Sequence, residues 1–195
     1  MPKTLIERKY FPFAPPDTDV FGLTVFSEKW KDNTTGKETT YWKSDVPNGV
    51  QIVALTPDNQ IIAISEFQSG VGTDYIHVPG ETIEEGEDPL TTAARGLLEE
   101  TGYASTELIL LSTILHDSSR SNRVFYFVLA RNCIKRQVGE KEIKVKLFSP
   151  ETFLGAMMKY FSDDREKKHG GANTLKAISL AFYELGWLNV AIPTP

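Results

Sequence analysis

The sequence predicts an α/β sandwich, a mixed β-sheet with helices on its faces, preceded by an N-terminal antiparallel β extension. Three observations lead there. The runs Gln51-Ile52-Val53-Ala54-Leu55 and Ile61-Ile62-Ala63-Ile64 are almost continuously apolar, as strands buried on both faces are. Three later stretches have helical period. Ahead of residue 46 the chain is punctuated by turn residues between β-branched and aromatic ones.

The elements follow in order. Residues 11–19 hold Pro12, Pro15 and Pro16 and read as a surface connector. Residues 20–46 read as a hairpin, with Leu23, Val25 and Trp30 in one arm, a turn at Asn33-Thr34-Thr35-Gly36, and residues 39–42 in the other arm. A second hairpin runs through residues 50–55, the turn Thr56-Pro57-Asp58-Asn59, and residues 60–67. Further strands are expected at 75–78, 108–114, 123–130 and 143–148. The first helix spans about 89–101. A second opens at Ser149-Pro150, Ser as cap and Pro in the first turn, with Leu154, Met157, Met158 and Phe161 on one side. The third, near 173–185, aligns Leu175, Ile178, Phe182 and Leu185 and stops at Gly186. The Met pair and the last stripe read as core packing.

The bulk properties bound the function. A chain of 195 residues, 41% hydrophobic and 24% charged, suits one hydrophobic core. No apolar run approaches the roughly 20 residues that span a bilayer, so no membrane partner is expected. A net charge of −5 disfavours a nucleic-acid binder, which gains affinity by neutralising phosphates. Cys133 is the only cysteine and reads as a small core residue. The N-terminus lacks a secretory pattern, which points to the cytoplasm.

The chemistry concentrates in residues 79–103, PGETIEEGEDPLTTAARGLLEETGY. Asp88 before Pro89 is a strong helix start, and Gly102 is the expected left-handed stop. Leu90, Ala93, Ala94, Leu97 and Leu98 are expected on the face against the sheet. The other face presents Arg95, Gly96, Glu99 and Glu100, with Arg95 and Glu99 four apart and able to pair. Glu99 and Glu100, with Glu84, Glu85 and Glu87 entering the helix, repel one another. Such a cluster takes up protons, stays solvated, or recruits a hard divalent cation. A bare acidic run is most often a solvated face. Here the spacing overturns that reading.

The segment resembles the Nudix box, G-x5-E-x7-R-E-U-x-E-E-x-G-U with U a bulky apolar residue. Glu87, Arg95, Leu97, Glu99, Glu100, Gly102 and Tyr103 fall in register over 23 positions. Glu66-Phe67-Gln68, Val71-Gly72 and His77-Val78-Pro79-Gly80 look like the strand entering the box in the ADP-ribose and nucleotide-sugar pyrophosphatase branch. Residues 121–127 and 139–145 resemble its later strands and acidic loop. The resemblance implies a Nudix-type α/β/α sandwich over residues 47–195. Residues 1–46 would be a β extension that commonly builds a homodimer. It also implies Mg²⁺-dependent cleavage, with Mn²⁺ as a substitute, of a nucleoside diphosphate linked to X. The products are a nucleoside monophosphate and X-phosphate.

The same resemblance implies site residues. Gly80 (through its carbonyl), Glu87, Glu99 and Glu100 would hold the metal, with Arg95 orienting a glutamate. In this branch the general base often comes from the loop before the last strand, which points to Glu140 or Glu142. Arg120 and Arg123 suit phosphate through their guanidinium forks. His116 lies beside Asp117 in a polar loop after a strand, where ligand contacts gather. Gln68 stands where the branch often carries a phosphate-binding arginine. His77 reads as structural, and His169 as part of a solvated loop.

Two box positions depart. The opening Gly is Glu81, after Gly80, and the metal-sharing Glu that should follow Arg95 is Gly96. A mid-helix Gly costs about 1 kcal/mol against Ala, so helix stability does not explain it. It marks either drift after loss of activity or close approach of another backbone. Glu81 is expected to compensate from the other end of the box. The proline usual downstream of the box is missing from His116-Asp117-Ser118-Ser119-Arg120, which leaves the X group open. The alternative function is a catalytically impaired Nudix module that binds a nucleotide or partner without hydrolysis.

Overall fold

A computed structural model describes residues 3–11, 24–69, 72–160 and 172–188, with backbone only at 156–160 and 172. The Pro-rich connector, Leu23, Val71, the side chains of Met157 and Met158, Phe161 and the His169 loop lie outside the described residues. The chain forms two compact units: Met1–Asn48 with Ile114–Phe125, and Gly49–Thr113 with Tyr126–Pro195.

The first unit is built on a three-stranded antiparallel sheet of β1 (Lys3–Phe11), β2 (Thr24–Asp32) and β3 (Glu38–Asp45), in that order. The expected hairpin is β2–β3. Its turn is set by Asp32, whose carboxylate accepts from the backbone N–H of Thr34 at 2.9 Å and Thr35 at 2.8 Å. Gly36 then supplies a φ of +70°. Strand β1 carries no alternating pattern, because nearly all of it is exposed and no buried face shapes its composition. Residues 114–125 join this unit through a bond from Ser44 N to Arg120 O, 2.8 Å.

The second unit holds a seven-stranded mixed sheet. Its main path is β12 (Lys144–Phe148), β5 (Ile61–Gln68), β4 (Gly49–Leu55), β10 (Val124–Arg131), β9 (Glu107–Leu115). Off this path, β6 (Thr73–His77) pairs with β5 and the short β7 (Gly80–Thr82) pairs with β4. The second hairpin is β4–β5, closed by Asn59 at φ 60° and by Thr56 N to Gln60 O. A two-stranded pair, β8 (Tyr103–Ala104) with β11 (Ile134–Lys135), lies apart.

Helices α1 (Pro89–Gly96), α2 (Pro150–Tyr160) and α3 (Ala172–Glu184) complete the unit. On one sheet face Val50, Ile52 and Ala54 of β4, with Ile62, Val128 and Ala130, pack against Ala93 and Leu97. The alternate residues Val53, Leu55, Ile61, Phe127 and Leu129 are equally buried and by period two face the other side. There α3 packs on β4 with Ala177, Ile178, Ala181 and Phe182 buried. The result is the expected α/β/α sandwich.

The first helix differs from expectation in two ways. Ala94, expected against the sheet, is exposed, and Thr92 and Gly96 are buried instead. The helix is also not α-helical throughout: Leu97–Thr101 is a π-helical turn ending at Gly102, φ 73°. A π turn inserts extra backbone per turn and is frequent at functional sites. Here it falls on Glu99 and Glu100. No helix among the described residues is long and apolar enough to cross a membrane.

Candidate active site

Strand β7, the loop after it and helix α1 with its π turn bring the box residues together inside the second unit. Asp88 caps α1 by accepting from Leu90 N at 3.0 Å and Thr91 N at 3.2 Å. Leu97, fully buried, anchors the helix to the sheet; truncating such a leucine to Ala costs about 2–5 kcal/mol.

Arg95 organises the polar face. Its Nε donates to Glu87 Oε1 at 3.1 Å and its Nη2 to Glu87 Oε2 at 2.9 Å, a two-pronged pairing. Nη2 also donates to Thr82 O at 3.2 Å. Nη1 faces Glu81 Oε2 and Glu99 Oε2, both at 3.3 Å. The bonds from Arg95, then from the Thr92 hydroxyl, hold the Glu87 carboxyl down at about 2. Glu87, expected among the metal ligands, thus has both oxygens bonded to Arg95 and fixes the arginine, with a lone-pair site still open on Oε1. The Glu87 bonds in turn raise the guanidinium further above its ordinary range.

Glu100 is the reverse case. Burial pushes its carboxyl up to about 9, against the one bond that favours the anion, from Gly80 N to Oε2 at 3.2 Å. The strongest charges acting on it, Glu81, Glu66 and Glu140, are carboxylates and raise it further. Glu140 is placed by its backbone: its N–H donates to Glu99 O at 3.0 Å. The loop that carries it packs closely, since a Cβ at Gly139 would lie 2.5 Å from Glu100 O. Glu142, two residues on, is exposed and outside the charges named for Glu100.

Glu66 was not singled out in the sequence. It ends the apolar run of β5, and an acid breaking such a run is the signal that marks it. Its Oε1 lies 2.7 Å from Gln68 Nε2 and 3.2 Å from His77 Nε2, and the His77 bond lowers its carboxyl. His77 Nδ1 faces Val78 O at 2.9 Å. Gln68 therefore reaches the cluster through Glu66.

The donor set fits a hard divalent cation. It is all oxygen, it is acidic, and it holds the half-buried Glu100 with further carboxylates as its strongest charged influences. Among the described residues no three acidic or histidine side chains converge as a ready-made cage. Magnesium does not need one, since it keeps several waters and takes one or two carboxylates. Like charges also stay apart when nothing bridges them.

The remaining expected residues fall elsewhere. Arg120, Arg123 and His116 belong to the first unit. There the Arg123 guanidinium sits 4.4 Å from the Phe125 ring centroid, its Nε buried without a hydrogen bond. His116 meets Phe125 edge-on at 5.4 Å. Cys133 is buried, and burial pushes its thiol up to about 11, as suits a core residue. A cavity of about 480 Å³ in the second unit, lined by Leu154, Phe182 and Trp187, contains no box residue.

Fold, caps and box together define a Nudix protein. Residues 46–167 match the NUDIX domain family, and the chain belongs to it. It is 28% identical over 100 residues to the ADP-ribose pyrophosphatase of Bacillus subtilis (strain 168), covering 49% of this chain and 54% of that one. It is 26% identical over 91 residues to the methanol dehydrogenase activator of Bacillus methanolicus, covering 47% and 49%. The chain thus spans about half the length of the curated relatives it matches. A crystal structure described as an ADP compounds hydrolase superposes with TM-score 0.76 over 97% of this chain and 98% of that one. At 20% identity, that likeness concerns the fold.

Proposed function

We infer that this chain is a divalent-cation-dependent pyrophosphohydrolase acting on a nucleoside diphosphate linked to X, of the ADP-ribose or nucleotide-sugar type. The observation that carries this is Glu100, a half-buried carboxyl at the helix end whose strongest charged influences are the carboxylates Glu81, Glu66 and Glu140. At neutral pH a carboxyl so placed holds its proton, and a divalent cation that displaces the proton would let it bind as the anion and meet a phosphate ligand at the same point.

Glu99, Glu100 and the Gly80 carbonyl would hold the cation, with Mg²⁺ the expected ion and Mn²⁺ a substitute. When bound, the ion supplies neutralisation of pyrophosphate oxygens and a more acidic water. The chain's own residues do the rest. Arg95, locked by Glu87 and Thr82 O, holds Glu99 at a fixed point on the helix. Glu140, exposed and within electrostatic range of Glu100, is the better-placed base of the two considered, ahead of Glu142. It would take the proton from the water attacking phosphorus. Gln68 is assigned to substrate, and a cytoplasmic homodimer through the β extension completes the reading. The ADP-ribose pyrophosphatase named above supports the substrate class.

The test is release of nucleoside monophosphate from ADP-ribose, other nucleotide sugars and dinucleotides, with Mg²⁺ or Mn²⁺ and with chelator. Cation-dependent release from one class is the expected result. Nucleotide binding without release from any member would overturn the enzyme reading in favour of a binding module. Light scattering checks the dimer.

A further inference from the structure

The two departures from the Nudix box are in contact. Gly96, the last residue of α1, is buried, and a Cβ built on it would lie 2.6 Å from Glu81 Cβ and 3.1 Å from Glu81 Cγ. Carbon atoms pack at about 3.5–4.0 Å, so this backbone does not accommodate side chains at both positions. Glu81 Oε2 lies 3.6 Å from the same point, within the span of one glutamate side chain. Helix and strand therefore enclose one side-chain volume. The box pattern fills it from the helix; this chain fills it from β7.

We propose that Glu81 and Gly96 are a reciprocal exchange, in which Glu81 supplies from the strand the metal-binding carboxylate that the box pattern places on the helix. Three observations carry this. The side chain lost at one position is regained at the other, in the same space. Its charge and donor type are regained with it. And the new carboxylate is held as Glu99 is, by the same Arg95 nitrogen at the same 3.3 Å, with Thr82 N donating to its other oxygen at 2.7 Å. A carboxylate has about four lone-pair sites, so these bonds leave capacity for a cation. Drift after loss of activity gives no reason for the compensating residue to be acidic, or to stand at this one contact. The exchange rests on the cation-dependent reading above and deepens it.

The experiment compares native protein, E81G, E81Q, G96E and the double variant E81G/G96E. It measures Mn²⁺ affinity from the free-ion electron paramagnetic resonance signal and Tm in chelator. E81Q keeps the volume and is expected to weaken Mn²⁺ binding at least about tenfold with Tm nearly unchanged. E81G should weaken it similarly, and G96E should lower Tm through the clash with Glu81. The double variant should recover Mn²⁺ affinity to within about threefold of native and recover Tm relative to G96E. Native affinity in E81Q, or a double variant that binds no better than E81G, would overturn the exchange while leaving the cation site standing. No Mn²⁺ binding by the native protein would overturn both.

Discussion

Among the described residues one glutamate of each unit sits in a desolvating environment, Glu28 buried and Glu100 half-buried, and the two are treated in opposite ways. In the first unit Glu28, 2% exposed, is met by Arg8, by Lys43 Nζ at 2.6 Å and by Trp30 Nε1 at 2.9 Å. Burial alone would raise its carboxyl, but the bonds from Lys43, Arg8 and Trp30 outweigh it and hold the group at about 2. In the second unit Glu100 has a single backbone donor and three acidic neighbours, and it stands at about 9. One unit supplies its own counter-charge and the other leaves it to be supplied. A charge matched within its own unit holds a sheet together; a carboxyl left unmatched marks a candidate functional site.

Substitutions at the two positions should therefore fail differently. Glu100→Gln is expected to lower kcat about 10³-fold while Tm in chelator stays level or rises, because a half-buried group among like charges is removed. Steady-state kinetics beside a melting curve checks this, and near-native turnover would place the chemistry elsewhere. Next in size, Glu140→Gln should lower kcat about 10²-fold with a changed pH profile. Glu142→Gln should stay within about twofold, and equal losses in the two would remove the preference for Glu140.

Glu28→Gln should act on stability alone. Breaking a buried pair costs about 3–5 kcal/mol. Arg8 and Lys43, at 44% and 30% side-chain exposure, recover part of that from water, which leaves about 2 kcal/mol. Urea unfolding measures the loss, and turnover per folded molecule should not change. The pH dependence has the corresponding sign. Glu28 is depressed in the folded chain, so its contribution is present above the ordinary carboxylate value of 4.5 and is lost as pH falls toward about 2. The first unit's acid transition should flatten in that window in Glu28→Gln.

The contrast between these glutamates is only partly legible in the sequence. The box was readable because capping, helical period and seven spaced residues coincide on one segment. Glu28 gave no signal, since its partners Arg8 and Lys43 are 20 and 15 residues away and meet it only through strand pairing. The Glu81–Gly96 contact is hidden for the same reason. Each departure is visible, but their shared volume exists only once β7 lies beside α1. The π turn was missed because a local backbone widening leaves no period to read over five residues. Ala94 was misplaced because its side chain is small enough to suit either face. Glu66 was quoted only as part of the strand entering the box, and its place came from β5–β6 pairing that sets it near His77.

Thermal unfolding of native protein, Glu28→Gln and Glu100→Gln, each in chelator and in excess Mg²⁺, tests the central contrast most directly. A ligand at about 100 times its Kd stabilises by about 2.7 kcal/mol. Native protein and Glu28→Gln should both gain several degrees on adding Mg²⁺, and Glu100→Gln should gain almost nothing. An equal gain in Glu100→Gln would contradict the account, because the cation would then be answering some charge other than Glu100.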